Sequence, residues 1–383
     1  MTPRPGVNAQ SEGGLVMVGS LGIVVFLTIL GSAFLLRGIH EHQYSQQSRS
    51  RQRALFYAEA SVDSVIGRLR SGNTENLAEA GLAEGQYWAE VDATGTLTYL
   101  ITGHGRQTGQ LRELEALVRL SPQSVFQFAL FGHQSILVAG SAITDSYNSA
   151  LGSYDAQTPG DDGDVGTNST ADGGVTIDGS IAINGQVAVG AQAQDPESVV
   201  QVNGGSAIIT ADPPIVPMTQ SMSLPAVSVP AGLTCTELKI AGQTTTTLSS
   251  AVGAYCFTDV KLSGGATLTA DGPVKVYVTG EFSASGNTLI GVPENPPSML
   301  FLMASNQQVT IESNLTGTTR FYGGFYAPTA TIDISGDAEV FGSVIAKNVE
   351  VSGHAKVHYD EALGALIEPV GLYQVAVLSW RET

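Results

Sequence analysis

The chain has 383 residues and a formal net charge of −18, with 17 Lys/Arg against 35 Asp/Glu. Seven of those bases and four of the acids lie in residues 1–70, so the remainder holds 10 bases against 31 acids. A body this acidic repels phosphate backbones, which excludes DNA or RNA as its partner.

The first element is an uncharged apolar run from Leu15 to Leu36. As an α-helix it reaches about 33 Å, enough to cross a hydrocarbon core about 30 Å thick. A cleaved secretory signal has a shorter apolar core, a basic start and small residues at its cut. Here Arg4 is the only base ahead of the run, and Leu35, Leu36 and Arg37 follow where a cut would be needed. From Arg37 to Arg70 there is no Pro, and Leu55, Ala58, Val62, Val65, Ile66 and Leu69 recur at helical steps. Gly72 and Asn73 end the pattern. The prediction is one helix of about 55 residues, half in lipid and half in water; a separate juxtamembrane stalk is the other reading. Arg37, Arg49, Arg51 and Arg53 follow the span, and by charge alone that side faces inward.

Residues 71–123 predict a small antiparallel meander. Gln86–Asp92 and Leu97–Thr102 alternate around the turn Asp92-Ala93-Thr94-Gly95, and Leu111–Leu120 alternates again. From Phe126 the texture changes to short runs such as Val175–Ile177 and Val187–Val189, punctuated by Gly. Ile334-Ser335-Gly336-Asp337-Ala338-Glu339-Val340 repeats as Val351-Ser352-Gly353-His354-Ala355-Lys356-Val357. Leu262-Ser263-Gly264-Gly265-Ala266-Thr267-Leu268 is a third copy, and Val138-Ala139-Gly140-Ser141-Ala142-Ile143 a looser one. Short strands with glycine corners and repeated small residues suit the stacked coils of a parallel β-helix. An irregular β-sandwich with repeated turns is the alternative. The expected fold is therefore α+β: a long N-terminal helix, a small antiparallel region and a mainly β body, a parallel β-helix or solenoid.

The N-terminal region resembles type IV pilin-related proteins, in particular PilX-type minor pilins and pilus assembly proteins. The resemblance rests on the leader ending at Gly13–Gly14, the apolar helix and its amphipathic continuation, and the phrase Tyr57-Ala58-Glu59-Ala60. It implies a leader, residues 1–14, removed by a prepilin peptidase between Gly14 and Leu15, or alternatively after Gly13. It also implies a membrane span at 15–36 within a pilin-like helix at 15–70, and other pilin-like subunits as partners of that helix. Major pilins carry a glutamate at the fifth mature position; Gly19 stands there in this chain, which points to a minor subunit. Residues 124–383 are similar to the β-helix-like domain found behind such N-termini. That second likeness rests on Phe325–Ala330, on His358-Tyr359-Asp360-Glu361 and on the ending Val377–Glu382. The implied location is the inner membrane, single-pass, with the body extracytoplasmic and reaching the cell surface after assembly. In that space Cys235 and Cys256 can form a disulfide, with unpaired thiols as the alternative.

Catalytic chemistry has few candidates. Asp333 with Asp337, and His358 with Asp360 and Glu361, are the carboxylate groupings a glycan-cleaving β-helix would need. Asp is also an ordinary turn residue and an ordinary helix cap. No nucleophile elbow, phosphate loop or zinc spacing is present in the sequence, so the expectation is a chain that is not an enzyme and uses no cofactor. Asp161, Asp162 and Asp164 form a weak Ca2+ candidate, without the twelve-residue pattern of a calcium loop. Two functions follow: a low-abundance pilin-like subunit with its β body near a filament tip, or a membrane-anchored surface protein that binds a glycan or a protein and never assembles.

Overall fold

Helix α1 runs without a break from Glu12 to Leu69, 58 residues and about 87 Å at the α-helical rise. The computed structural model describes residues 12–304, 312–316, 319–366 and 372–382. The predicted leader therefore lies mostly outside the described residues, whereas the backbone at Gly14 and Leu15 is already helical. Leu21, Phe26, Phe34 and Leu35 are exposed, at 64–70 % for the last three and 66 % for the first. This is one helix long and apolar enough to span a membrane.

The chain divides into two compact units, the first formed by residues 1–69, 73–120 and 375–383. In this unit the second half of α1 lies on an antiparallel sheet of β1 (Leu77–Leu82), β2 (Gly85–Gly95), β3 (Thr98–Gln107) and β4 (Gln110–Gln123). Ala54, Ala58, Ser61, Val62, Val65 and Leu69 are the buried stripe. Leu55 and Ile66, expected in that stripe, are only half-buried. Glycines let the helix come close. A Cβ at Gly105 would fall 2.0 Å from the Ala54 carbonyl oxygen, and one at Gly85 would fall 2.1 Å from the Tyr57 ring. Tyr57 and Ala58 of the Tyr-Ala-Glu-Ala phrase thus sit where the sheet has no side chain.

Two features of this sheet differ from the sequence reading. Residues 77–82, outside the three alternating runs that predicted the meander, form β1. The ending, assigned with residues 124–383 to the β body, forms a fifth strand, Leu372–Glu382, alongside β4. An ion pair of Arg381 with Glu115, and Arg112 Nη1 3.4 Å from Glu382 Oε1, help fix its register. The physical reason is that β4 has an open edge, and the strand that satisfies its backbone groups comes from more than 250 residues away.

The second unit, residues 70–72 and 121–374, is built of parallel strands. Each full coil presents three strand segments. Arg320–Tyr322, Gly324–Ala327 and Thr331–Ile334 make one coil, in register with Glu339–Phe341, Ser343–Ala346 and Asn348–Val351 of the next. The described pairings between its strands are parallel, as in a solenoid and unlike the sandwich alternative. The order of the coils is discontinuous. β5 (Leu130–Gly140) pairs on one face with Val165–Thr167 and Val175–Gly179 and on the other with Glu339–Val351. One run of coils therefore leads away from β5 to Ile215–Pro217. A second run starts at Thr236–Ala241 and works back to the same place. At the meeting point a single coil is composite: Lys356–Asp360 supplies one side and β5 the other two.

The Pro-rich stretch after Pro217 carries the chain from the end of the first run to the start of the second. It lies over one side of the stack. Val227, with Met218, Met222, Leu224 and Leu233, packs on Phe131, Tyr277, Leu302, Tyr326 and Ile345. Tyr326 donates to the Pro225 carbonyl at 2.6 Å, and Asn168 exchanges two hydrogen bonds with the Met222 backbone. At its far end Cys235 is disulfide-bonded to Cys256, Cα–Cα 4.4 Å. Closing a loop of that length is worth about 3 kcal/mol in the chain-entropy treatment.

The repeated Ser-Gly corners stack directly. Gly336, Gly353, Gly140, Gly179 and Gly205 form a column, all with positive φ. A Cβ on Gly353 would lie 2.7 Å from the Gly336 carbonyl oxygen, and one on Gly140 would lie 2.4 Å from that of Gly353. Only glycine combines left-handed φ with so close an approach. Gly353→Ala should cost about 2–4 kcal/mol in chemical denaturation. Gly232→Ala, at φ +92° with nothing within 4 Å, should cost only about 1 kcal/mol. Equal losses for the two would show that the stacked corner adds nothing beyond its dihedral.

Candidate functional site: an aromatic and charged cleft

The coil side that begins with Arg320–Tyr322, not the one covered by the Pro-rich stretch, carries two columns of charged and aromatic side chains. Arg320, Glu339 and Lys356 are consecutive partners across three parallel strands. Tyr322, Phe341 and His358 are the next column, and it continues to Asp145 of β6 (Ile143–Tyr147). Members of the two columns are two residues apart on each strand, so they share one face. After β6 the chain makes two short 3-10 turns, Ser149–Leu151 and Tyr154–Ala156, which bring Tyr154 and Asp155 over that face. With Pro293 and Glu294 these residues line a cleft of about 520 Å³.

The aromatic groups are tightly arranged. Tyr322 stacks on Phe341 at 4.5 Å and 7°, and Phe341 continues to the His358 ring at 4.8 Å. Tyr154 lies 4.0 Å from His358 and meets Phe341 at 5.6 Å and 69°. Its phenol donates to Asp145 Oδ2 at 2.7 Å, while Asp145 Oδ1 is 2.6 Å from His358 Nδ1. Asp145 and His358 are both buried, and each has the other as its charge or hydrogen-bond partner. Burial, then the bond to Asp145, pushes the Tyr154 phenol well above its ordinary range, so it stays a donor. Deeper in, burial followed by the charge of Asp360 does the same to Tyr147. The hydroxyl of Tyr147 is buried and has no hydrogen-bond partner.

The charged column is a short network. Glu339 accepts from Arg320 Nε and Lys356 Nζ, each at 3.1 Å. Burial pushes its carboxyl up, but the hydrogen bonds and charges of Lys356 and Arg320 outweigh that, and the net shift is down.

The sequence-derived candidates disperse. Of His358-Tyr359-Asp360-Glu361, only His358 enters the cleft lining. Tyr359 points to the other side of the strand and donates to the Phe126 carbonyl. Asp360 caps the turn Glu361–Gly364, its Oδ1 accepting from Ala362 N and Ser149 N. Glu361 accepts from Ser146 Oγ at 3.1 Å. Asp337 pairs with the exposed His354, and Asp333 lies in register with Glu350. Among the described residues no group of three or more His, Cys, Asp or Glu converges for a metal, Asp161, Asp162 and Asp164 included. Asp164 Oδ1 is instead taken by the Gln186 amide at 2.7 Å, and Asp162 N donates to Ser146 Oγ, which holds the loop to its neighbouring coil. Asp145, Tyr154, Tyr322, Phe341 and Glu339 were missed. The available signal was the repeat itself: with Glu339 and Lys356 at equivalent positions, Phe341 and His358 follow two residues later on the same face.

A carboxyl held below its ordinary value stabilises the fold above that value and loses the contribution as pH falls through the folded-state value. For Glu339 the ordinary value is 4.5. Glu339→Gln should therefore lower the melting temperature at pH 7, and the gap to wild type should shrink as pH falls below 4.5. A gap that is constant with pH would rule out the charge network as its source.

Residues 235–366 match a family model described as a domain of unknown function, DUF7305. None of the curated proteins matches the chain. Among solved structures it is similar to the competence-associated pilin ComZ from Thermus thermophilus, at 14 % identity and TM-score 0.30. That alignment covers 87 % of this chain and 97 % of the other. It is also similar to the DUF3494 domain of a Shewanella frigidimarina ice-binding protein, at 13 % identity and TM-score 0.32, covering 61 % and 94 %. An ice-binding protein from an Antarctic biological consortium aligns at 16 % identity and TM-score 0.31, covering 61 % and 86 %. At such TM-scores none of the three bears on what this chain binds or assembles with.

Proposed function

We propose that the chain is a minor, low-abundance type IV pilin-like subunit, anchored in the inner membrane through residues 15–36 and later incorporated in a pilus or pseudopilus. The observation that carries this is α1: one uninterrupted helix, apolar over its first half and exposed there from Leu21 onward, and seated on a small antiparallel sheet over its second half. An exposed apolar helix is stable only in lipid or against other apolar helices, and the same surface suits both. Gly22 and Gly31 have open space around them, which leaves room for a neighbouring helix to approach closely. Partners of α1 are then other pilin-like subunits. Gly19 in place of an acid near the mature start favours a minor subunit over the repeating one.

In this reading the β body is extracytoplasmic, in keeping with its disulfide. Its role is structural or binding rather than catalytic, since Asp360 and Glu361 hold backbone and side-chain groups in place. The second reading, an anchored binding protein that never joins a filament, is favoured by the cleft and differs in the fate of the leader.

N-terminal sequencing of the mature protein separates the two. A start at Leu15 is expected. An intact Met1, or a start beyond Leu36, contradicts the pilin-like reading.

A further inference from the structure

We infer that the cleft lined by Tyr322, Phe341, Tyr154, Tyr147 and the Arg320–Glu339–Lys356 network is a binding site for a neutral saccharide. The inference is independent of whether α1 assembles into a filament, because every residue it uses lies between Ile143 and His358. Three observations carry it.

The first is an aromatic platform. Tyr322 is half-buried and stacks on the nearly buried Phe341, which rests on His358. A solvent-facing tyrosine held rigid from behind offers a flat apolar face at low entropic cost, which suits the C–H face of a pyranose. The second is the set of polar groups at its margin. Arg320, Glu339 and Lys356 are locked together at 3.1 Å, so donors and acceptors alternate along one edge of the platform. Sugar hydroxyls both donate and accept, and such alternation matches them without requiring a charge. The third is the phenol of Tyr147. It lines the cleft, the residue is 2 % exposed, and its hydroxyl has no partner. Buried polar groups are nearly always satisfied, and a ligand hydroxyl reaching the inner end of the cleft would satisfy this one.

Charge selects among saccharides. Besides the network, whose two bases Arg320 and Lys356 share the one carboxylate of Glu339, the lining holds Asp155 and Glu294, both exposed, together with the Asp145–His358 pair. Two bases thus face four carboxylates, Asp145, Asp155, Glu294 and Glu339, and the excess of acids repels an acidic sugar. Uronate-rich or sialylated chains are thus disfavoured, and neutral hexose or N-acetylhexosamine chains favoured.

The test is calorimetric titration of the full-length chain in detergent with three probes: a β-linked glucose tetramer, an N-acetylglucosamine tetramer and a galacturonic acid tetramer. Saturable binding of at least one neutral probe is expected, at least about tenfold tighter than the acidic one. Tyr322→Ala should weaken it about tenfold or more, whereas Tyr322→Phe should keep it. Tyr147→Phe should weaken binding while leaving the melting temperature equal or higher, because it removes an unsatisfied buried hydroxyl. That combination is not expected of a purely structural tyrosine. Absence of saturable binding by both neutral probes, tighter binding of the acidic probe, or unchanged affinity in a folded Tyr322→Ala protein would each overturn the proposal.

Discussion

Hydrogen-bonding of parallel strand edges is the constraint on which the β unit depends. A coil of a solenoid satisfies its backbone only when another coil lies on each face, and the glycine column shows how closely they must approach. Most solenoids meet this demand by adding coils in sequence order. Here β5 is covered on both faces, by the coil that follows it and by the last coil of the chain's second run. The chain must therefore travel the length of the stack between its two runs. The proline-rich segment does so, and the apolar side chains it lays down seal one side of the coils.

That return also makes the cleft. Asp145 and His358 are 213 residues apart in sequence and 2.6 Å apart in space, across the junction where the two runs meet. Tyr154 reaches over the same junction from the loop after β6, donating to Asp145 and packing on His358 and Phe341. The cleft lies against this composite coil. Side chains from the first run fix the orientation of those from the second. A binding site there inherits rigidity from the strand ladder beneath it.

The helical unit rests on a related close approach, between α1 and sheet glycines. Gly103 and Gly105 admit the backbone at Ala54 and Ala58, and Gly85 admits the Tyr57 ring. The Tyr-Ala-Glu-Ala phrase therefore has a packing role in this chain as well as carrying a family likeness. From Leu21 onward the apolar half of α1 is exposed, and among the described residues it has no counterpart of these contacts.

Much of the architecture was legible in local pattern. The 22-residue uncharged run, the three- and four-residue steps through Ala58, Val62, Val65 and Leu69, and the Ser-Gly repeats at 336 and 353 each encode local geometry. Local geometry is what short-range periodicity determines: a helix face, a strand face, a corner that only glycine can turn. Run order, the fifth strand beside β4 and the composite coil are pairings over more than 200 residues, and no window of sequence reports which distant edge a strand will meet. The cleft follows the same division. His358 was a candidate only together with Asp360 and Glu361, and its partners were chosen in space: Phe341 and Asp145 by strand register, Tyr154 by the turn that follows β6. Residue type and spacing thus determined that this chain would be a membrane-length helix followed by stacked coils. Only the tertiary pairing, by closing the two runs on each other, decided where its charged and aromatic side chains converge.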